Sequence, residues 1–112
     1  PVALGVTILT SDPNTDEELM KQRIGVAKDS GCLGLVCSAH DLAIVSKQAP
    51  ELLTVVPGIR LSGAEAHDQK KVATPSKALE EGAGLLVVGR AVTEAANPTE
   101  AAETIYEDIA NL

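Results

Sequence analysis

The chain has 112 residues, a formal net charge of −7 and an isoelectric point near 4.7. This balance disfavours nucleic acid and anionic membranes as partners, because there is no surplus of positive charge to neutralise their phosphates. The sequence also contains no apolar run of roughly 18 residues and no basic segment followed by an apolar one, so it predicts neither a transmembrane helix nor a secretory signal.

Four short apolar runs alternate with helix-compatible segments along the chain. They cover residues 3–9, 33–38, 52–56 and 85–88. Each run is continuous rather than strictly alternating, which predicts a strand that is covered on both faces. Since Tyr106 is the only aromatic residue, the core has to be built from aliphatic side chains and alanine.

The segment after each run carries helix start and stop signals. The first helix is predicted to begin with Thr15 as its N-cap and Glu18 as the partner in a capping box, and to stop at Gly31. The second helix is short and is predicted to end before Pro50.

The two later helices are predicted by proline and glycine. Thr74 and Pro75 open the third helix as N-cap and first-turn proline, and Gly82 closes it. The last helix opens at residues 97–99, and its apolar spacing predicts one buried face formed by Ala102, Ile105 and Ile109.

This (βα)4 order predicts a parallel sheet with right-handed crossovers, in one domain over residues 1–112. The pattern alone allows a small open doubly wound sheet or half of a closed (β/α)8 barrel, which needs roughly 200–250 residues when complete. Half a barrel would leave two unpaired sheet edges. It should therefore need a partner, either the other half-barrel or a second copy of itself.

The connection after the third run is long for a compact domain. It covers residues 57–73, and structureless loops of more than roughly 12–15 residues are usually functional or disordered. It leaves the carboxyl end of a strand, where α/β folds place ligands. Within it, Arg60 can form a fork against a phosphate and Gln69 can donate an amide hydrogen bond to one.

Two other strand ends carry polar groups at the same edge. The fourth run ends in Gly89 and Arg90, which offer an unobstructed backbone N–H and a second guanidinium fork where a barrel usually binds phosphate. Together with the long loop they predict a clamp for the phosphate of a small ligand. The first run ends at Thr10, whose hydroxyl is expected to form a hydrogen bond to a ring edge of that ligand.

The remaining reactive residues do not assemble into a recognisable centre. Cys32 and Cys37 are interpreted as two reduced, buried thiols of a cytosolic protein, and the lone loop histidines His40 and His67 as surface residues. No nucleophilic triad, metal-ligand spacing or Gly-x-Gly-x-x-Gly motif is present in the sequence.

In this order and spacing, the strand-end blocks closely resemble bacterial orotidine 5′-phosphate decarboxylase. The blocks are VTILTS (6–11), GLVCSA (34–39), VPGIR (56–60) followed by DQ (68–69), and VVGRAVT (87–93). The resemblance covers essentially the whole chain and implies strands five to eight of the family's TIM barrel. It implies a cytoplasmic, dimeric lyase of pyrimidine biosynthesis that converts orotidine 5′-monophosphate (OMP) to UMP and CO2 with neither metal nor organic cofactor.

The resemblance also implies roles for individual residues. Arg60, Gln69, Gly89 and Arg90 match the phosphate-binding positions, Thr10 matches the position that hydrogen-bonds the pyrimidine, and the loop that bears Gln69 matches the family's mobile phosphate lid. The family's catalytic Asp-Lys-Asp network is not found in this sequence. No residue of this chain is therefore assigned a catalytic role, and the isolated chain is expected to be inactive.

Two alternatives stay open beside this interpretation. The sugar-phosphate decarboxylases and synthases of the same superfamily share the terminal Gly-Arg phosphate site, although the Pro-Gly-Ile-Arg block favours the nucleotide enzyme. The chain could instead be a non-catalytic half-barrel that assembles with itself around a phosphate site.

Overall fold

In the computed structural model, which describes residues 1–14, 16–63, 66, 70–110 and 112, four parallel strands form one sheet in the order β1-β2-β3-β4. The strands are β1 (Leu4–Val6), β2 (Gly34–Val36), β3 (Leu53–Val56) and β4 (Leu85–Leu86). Each strand pairs with the next one along the chain, so right-handed crossovers place the intervening helices on a single face. The predicted parallel (βα)4 class is confirmed.

The described part of the chain contains five α-helices and one 3₁₀ turn. They are α1 (Glu17–Asp29), a 3₁₀ turn (Ala39–Asp41), α2 (Leu42–Gln48), α3 (Pro75–Glu80), α4 (Arg90–Thr93) and α5 (Pro98–Ala110). One helix therefore follows each strand as predicted, and the short α4 is added between β4 and α5.

The N-cap of α1 differs from the prediction. The Asp16 carboxylate accepts hydrogen bonds from the backbone N–H groups of Glu18 and Leu19 at 3.0 and 3.3 Å, so the predicted cap at Thr15 was wrong by one residue. Thr15 itself lies outside the described residues. A carboxylate satisfies the open N–H groups of the first turn as well as a hydroxyl does and adds a favourable charge at that end.

The predicted ends of α1 and α3 are confirmed. Gly31 and Gly82 follow the two helices with φ angles of 76° and 103°, in the left-handed region that favours glycine. The Thr74 hydroxyl accepts from the Lys77 N–H at 3.3 Å, and Pro75 occupies the first turn.

The buried face of α5 differs by one position from its prediction. Ala101 and Ile105 are buried, Ile109 is half-buried, and Ala102 is exposed. Alanine gives a weak periodic signal where two occur in succession, so the apolar pattern did not decide which of the pair faces inward.

The core lies between the sheet and the helices. Ile24 of α1, Leu35 of β2, and Leu42 and Val45 of α2 are fully buried in one cluster. The helix layer lies close to the sheet at β1, where a Cβ on Gly5 would stand 2.7 Å from the Ala27 Cβ. The side of β1 without a side chain therefore faces α1.

The opposite face of the sheet is open, which corrects the prediction that the strands are covered on both faces. Leu4 and Val6, on either side of Gly5, are 42% and 55% exposed, and Leu85 and Val87 at the other edge are 52% and 47% exposed. Strand side chains alternate between faces, so these four belong to the face away from the helices. The continuous apolar runs predict a sheet buried on both faces, but the residues that the structure describes cover only one of them. We call these four residues the open face.

Candidate functional site

Four of the five predicted binding residues lie at one edge of the sheet. Thr10, Arg60, Gly89 and Arg90 each follow the carboxyl end of a strand, namely β1, β3 and β4. Because all strands are parallel, these ends meet at the same edge. Gln69 lies outside the described residues.

The long loop between β3 and α3 is closed at its base. Ile59 and Ala73 form an isolated parallel bridge, in which the Arg60 N–H donates to the Ala73 carbonyl at 2.9 Å and the Ala73 N–H donates to the Gly58 carbonyl at 3.1 Å. Gly58 has a φ of 73°, a conformation that costs any other residue free energy. The Pro-Gly turn found in the sequence therefore sets the direction of the loop as it leaves β3.

Arg60 is held at this base with its guanidinium turned toward its own loop. The side chain is 6% exposed. Its Nη1 donates to the Ile59 carbonyl at 2.8 Å and its Nη2 to the Ala66 carbonyl at 3.3 Å. A buried guanidinium needs such acceptors, so Arg60 stabilises the loop in addition to any contact it makes with a ligand.

Gly89 and Arg90 continue the sheet beyond β4 and begin α4. The Val87 N–H donates to the Val56 carbonyl at 2.9 Å, which keeps the end of β4 beside β3. Apart from Gly89 and its two chain neighbours, no heavy atom of the described residues lies within 4 Å of the place where a Gly89 Cβ would stand, so a ligand can approach this backbone closely. Arg90 is half-buried at the first position of α4.

Thr10 links the far end of the long loop to the first strand. It is 6% exposed, and its carbonyl oxygen accepts from the N–H groups of Lys70 and Lys71 at 2.8 and 3.1 Å. The chain that leaves β3 therefore returns by way of β1, two strands away in the sheet. The sequence predicted a polar Thr10 at this edge but gave no signal for this main-chain contact, which joins residues far apart in the chain.

The end of β2 contributes polar groups that are already satisfied. The fully buried Ser38 hydroxyl donates to the Asp41 carboxylate at 2.9 Å. His40 is exposed, as predicted, and its Nε2 lies 3.2 Å from the Val72 carbonyl oxygen. His67, the other predicted surface histidine, lies outside the described residues.

The two thiols are free; Cys37 is buried as predicted, whereas Cys32 is only half-buried. Cys37 is unsuited to act as a nucleophile. Burial, and after it the charge of Asp41, raises the pKa of the Cys37 thiol from 9.0 to about 12. The thiolate is the reactive form. Among the residues that the structure describes, no group of three histidine, cysteine, aspartate or glutamate side chains could hold a metal ion, and no described helix is long and apolar enough to cross a membrane.

The enclosed space near this edge does not include the predicted residues. Clefts of about 310 and 270 Å³ adjoin His40 on the helix side of the sheet. Neither is lined by Thr10, Arg60, Gly89 or Arg90. Among the described residues, the polar groups that could bind a ligand therefore lie outside these two clefts, along the carboxyl edge of the sheet.

Comparisons with known proteins agree on one family. The model of the orotidine 5′-phosphate decarboxylase/HUMPS family matches residues 5–105. The orotidine 5′-phosphate decarboxylases of Methylobacterium sp. (strain 4-46) and Bacillus cereus (strain G9842) are 43% and 40% identical over 96% of this chain, which covers 50% of each relative. The crystal structure of the orotidine 5′-phosphate decarboxylase from Lactobacillus acidophilus superposes with a TM-score of 0.73 at 31% identity, over 96% of this chain and 49% of that one. The chain therefore spans about half the length of the relatives it matches, and its fold is half of their barrel.

Proposed function

Because the chain belongs to the orotidine 5′-phosphate decarboxylase/HUMPS family, we propose that it is the substrate-binding half of an orotidine 5′-phosphate decarboxylase. The reaction would convert OMP to UMP and CO2 as a step of pyrimidine biosynthesis. The observation that carries the proposal is the position of the polar residues: all four that the structure describes lie at the carboxyl edge of the sheet, where barrels bind their ligands.

The phosphate would be held at the β3–β4 end of this edge. Arg90 would supply a guanidinium fork, and Gly89 a backbone N–H on a residue with open space where a side chain would stand. Arg60 lies after the adjacent strand and Gln69 is the fourth proposed phosphate contact. Arg60 already donates to two carbonyl oxygens of its own loop. It would therefore hold the loop beside the phosphate in addition to contacting the phosphate.

The pyrimidine would lie toward β1, where Thr10 ends the opposite strand. Three strand spacings separate β1 from β4, which is about 14 Å along a flat sheet and less across a curved one. The two ends of a nucleotide would therefore be recognised by opposite edge strands of this half. Binding energy from the phosphate end can then help to order the reacting end.

The chemical step would depend on the other half of the barrel. Loss of CO2 leaves an electron pair at C6 of the pyrimidine, which a proton donor must neutralise to give UMP. The described lysines lie on helices or in the loop after β3 rather than inside the open face: Lys21, Lys28, Lys47, Lys70, Lys71 and Lys77. The family's Asp-Lys-Asp network would be supplied by strands that this chain does not contain.

A complementary half-barrel is the partner that the open face fits. Four exposed aliphatic side chains and two edge strands would be covered by strands one to four of the family barrel. A second copy of this chain could cover the same surface. Because the two halves are of nearly equal length, native mass spectrometry, which resolves the two sequences, would distinguish the two assemblies. We propose that residues 1–112 act as one unit in either assembly, and that the enzyme works in the cytoplasm, where free thiols stay reduced.

The sugar-phosphate enzymes of the superfamily are the second candidate. The family model includes them by name, and a Gly-Arg phosphate site would serve both groups. The relatives at 39–43% identity are all named as orotidine 5′-phosphate decarboxylases, and the Pro-Gly-Ile-Arg block occurs here at 57–60. Both observations favour the nucleotide.

The phosphate role is tested by Arg90→Ala. A charged hydrogen bond of this kind contributes roughly 1.5–3 kcal/mol, so affinity for UMP should fall about ten- to hundredfold. Titration calorimetry with UMP measures this on the chain assembled with the N-terminal half of a relative's barrel, and Lys47→Ala, an exposed change on α2, serves as the control. A UMP affinity of Arg90→Ala within about twofold of the wild-type value would mean that Arg90 does not bind phosphate.

A further inference from the structure

The last part of the long loop runs back along the carboxyl edge of the sheet. We call residues 70–73 the return arm. Its first two backbone N–H groups, of Lys70 and Lys71, donate to the Thr10 carbonyl at 2.8 and 3.1 Å, and its last residue, Ala73, donates to the Gly58 carbonyl at 3.1 Å. The return arm therefore bridges the loops that follow β1 and β3.

Lys71 is the residue of the return arm whose side chain is buried. It is 8% exposed, whereas the neighbouring Lys70 is exposed to solvent. Its Nζ donates to the Asn14 carbonyl oxygen at 2.6 Å. Burying an ammonium group is unfavourable unless acceptors replace the lost water, so this contact is one that the local structure has to provide.

Both contacts of Lys71 are with the same short segment. The backbone N–H reaches the Thr10 carbonyl and the ammonium group reaches the Asn14 carbonyl, four residues further on. Between them the chain turns, with the Asp12 N–H donating to the Leu9 carbonyl at 2.9 Å. Lys71 therefore holds both ends of the loop after β1.

We propose that Lys71 is a positioning residue that fixes the pyrimidine-side loop, with Thr10, against the return arm of the phosphate loop. This inference rests on the proposed function, which assigns the pyrimidine to the β1 side of the site and the phosphate to the β3–β4 side. The return arm follows Gln69 directly in sequence, so a displacement of the loop after β1 would change the spacing between the two ends of the ligand site. Lys71 would act through Thr10, because its own donors are directed at the Thr10 and Asn14 carbonyls.

The mechanical part of the proposal is tested by amide hydrogen exchange on the 112-residue chain. In the wild type the amides of Lys71 and Asp12 should be protected more than about tenfold over their unfolded rates. Lys71→Met keeps the length and apolar stem of the side chain but removes its charge and donors. It should speed exchange at both amides about tenfold, while the core amides of β2 and β3 keep their protection.

Two further variants serve as controls. Lys70→Met, which removes an exposed ammonium from the adjacent position, should leave both amides unchanged, and Lys71→Arg should restore most of the protection. If Lys71→Met fails to fold, the wild-type protection of Asp12 and the Lys71→Arg variant still decide the point. Unprotected wild-type amides, or equal effects of Lys70→Met and Lys71→Met, would overturn the proposal.

The functional part is tested by comparing two ligands, each titrated into the complex of this chain with the N-terminal half of the Methylobacterium sp. (strain 4-46) relative, which completes the site. In Lys71→Met the dissociation constant for UMP should rise about tenfold, whereas that for ribose 5-phosphate, which lacks the pyrimidine, should change less than about twofold. Equal weakening of both ligands would overturn the positioning role, because it would indicate general damage. If the wild-type complex binds neither ligand, the proposed function fails, and the exchange data alone decide whether Lys71 holds the loop.

Discussion

Cys37 is a buried thiol whose ionisation is opposed by its surroundings. It is 1% exposed at the end of β2, and burial, followed by the charge of Asp41, raises its pKa from 9.0 to about 12. Between pH 9 and about pH 12 the folded chain keeps the thiol proton, whereas the unfolded chain loses it above about pH 9. The contribution to stability is therefore complete below pH 9 and declines as the pH rises.

The expected effect is a pH-dependent difference between the wild type and Cys37→Ala. Between pH 8 and 10 the wild-type free energy of unfolding should fall by about 1 kcal/mol more than that of the variant, because only the wild type has this thiol to ionise. Urea unfolding at several pH values measures the difference, with Cys32→Ala as the control that keeps the wild-type decline. Parallel pH profiles for the wild type and Cys37→Ala would contradict the assignment.

At the level of single residues, the sequence predicted which side chains lie at the carboxyl edge of the sheet. It did not predict the hydrogen bonds that hold them in place. Thr10, Arg60 and Arg90 were placed correctly by their position after apolar runs. The two carbonyl contacts of Arg60 and the buried Lys71 were not predicted. Both depend on contacts across a loop or between distant loops, which neither periodicity nor composition encodes.

Glycine controls how closely the elements approach each other. A Cβ at Gly34 of β2 would overlap the Leu53 carbonyl oxygen of β3 and lie 2.9 Å from the Leu53 Cβ. In the helix α1, a Cβ at Gly25 would meet only the Gln48 Nε2, at 3.8 Å. The same substitution should therefore have opposite effects at these two positions.

Gly34→Ala should lower the free energy of unfolding by about 2 kcal/mol, because β2 and β3 must separate to admit the methyl group. Gly25→Ala should raise it by about 0.5–1 kcal/mol, since alanine loses less backbone entropy in a helix. Equilibrium urea unfolding of both variants gives the two values. Destabilisation by Gly25→Ala would contradict the open space around Gly25 of α1. An unchanged stability of Gly34→Ala would contradict the close approach of β2 to β3 at Gly34.

At the level of elements, the order and type of the strands and helices could be predicted from the sequence. The first and last residues of the strands could not. The predicted first strand, 3–9, is reduced to Leu4–Val6, and the predicted fourth, 85–88, to Leu85–Leu86. Both are the edge strands, where hydrogen-bonded pairing on one side is missing. The predicted second strand, 33–38, is likewise reduced to Gly34–Val36 although it is paired on both sides, so a missing edge partner is not the whole reason. Single backbone bonds continue the pairing beyond the strand ends, since the N–H groups of Thr7 and Val87 donate to the Val36 and Val56 carbonyls at 3.2 and 2.9 Å. The apolar pattern therefore marks the paired segments but not the residue at which regular pairing stops.

At the level of the whole molecule, the open face is the feature that a periodic pattern could not reveal. Leu4, Val6, Leu85 and Val87 have the aliphatic character of a core and the exposure of a surface. Clusters of this kind mark places where another chain binds. The described residues that leave this face uncovered also leave the carboxyl edge of the sheet open. One complementary half-barrel would therefore complete both the core and the proposed binding site.

Reassembly of a barrel tests the central claim most directly. The chain would be co-expressed with the N-terminal half of the Methylobacterium sp. (strain 4-46) relative, which is 43% identical over the part that this chain covers, and decarboxylation of OMP would be followed by the change in absorbance. We predict turnover by the purified complex, none by either half alone, and a decrease of at least about tenfold in kcat/KM with Arg90→Ala. Turnover by the 112-residue chain alone, or a stable complex that binds UMP without converting OMP, would contradict the account.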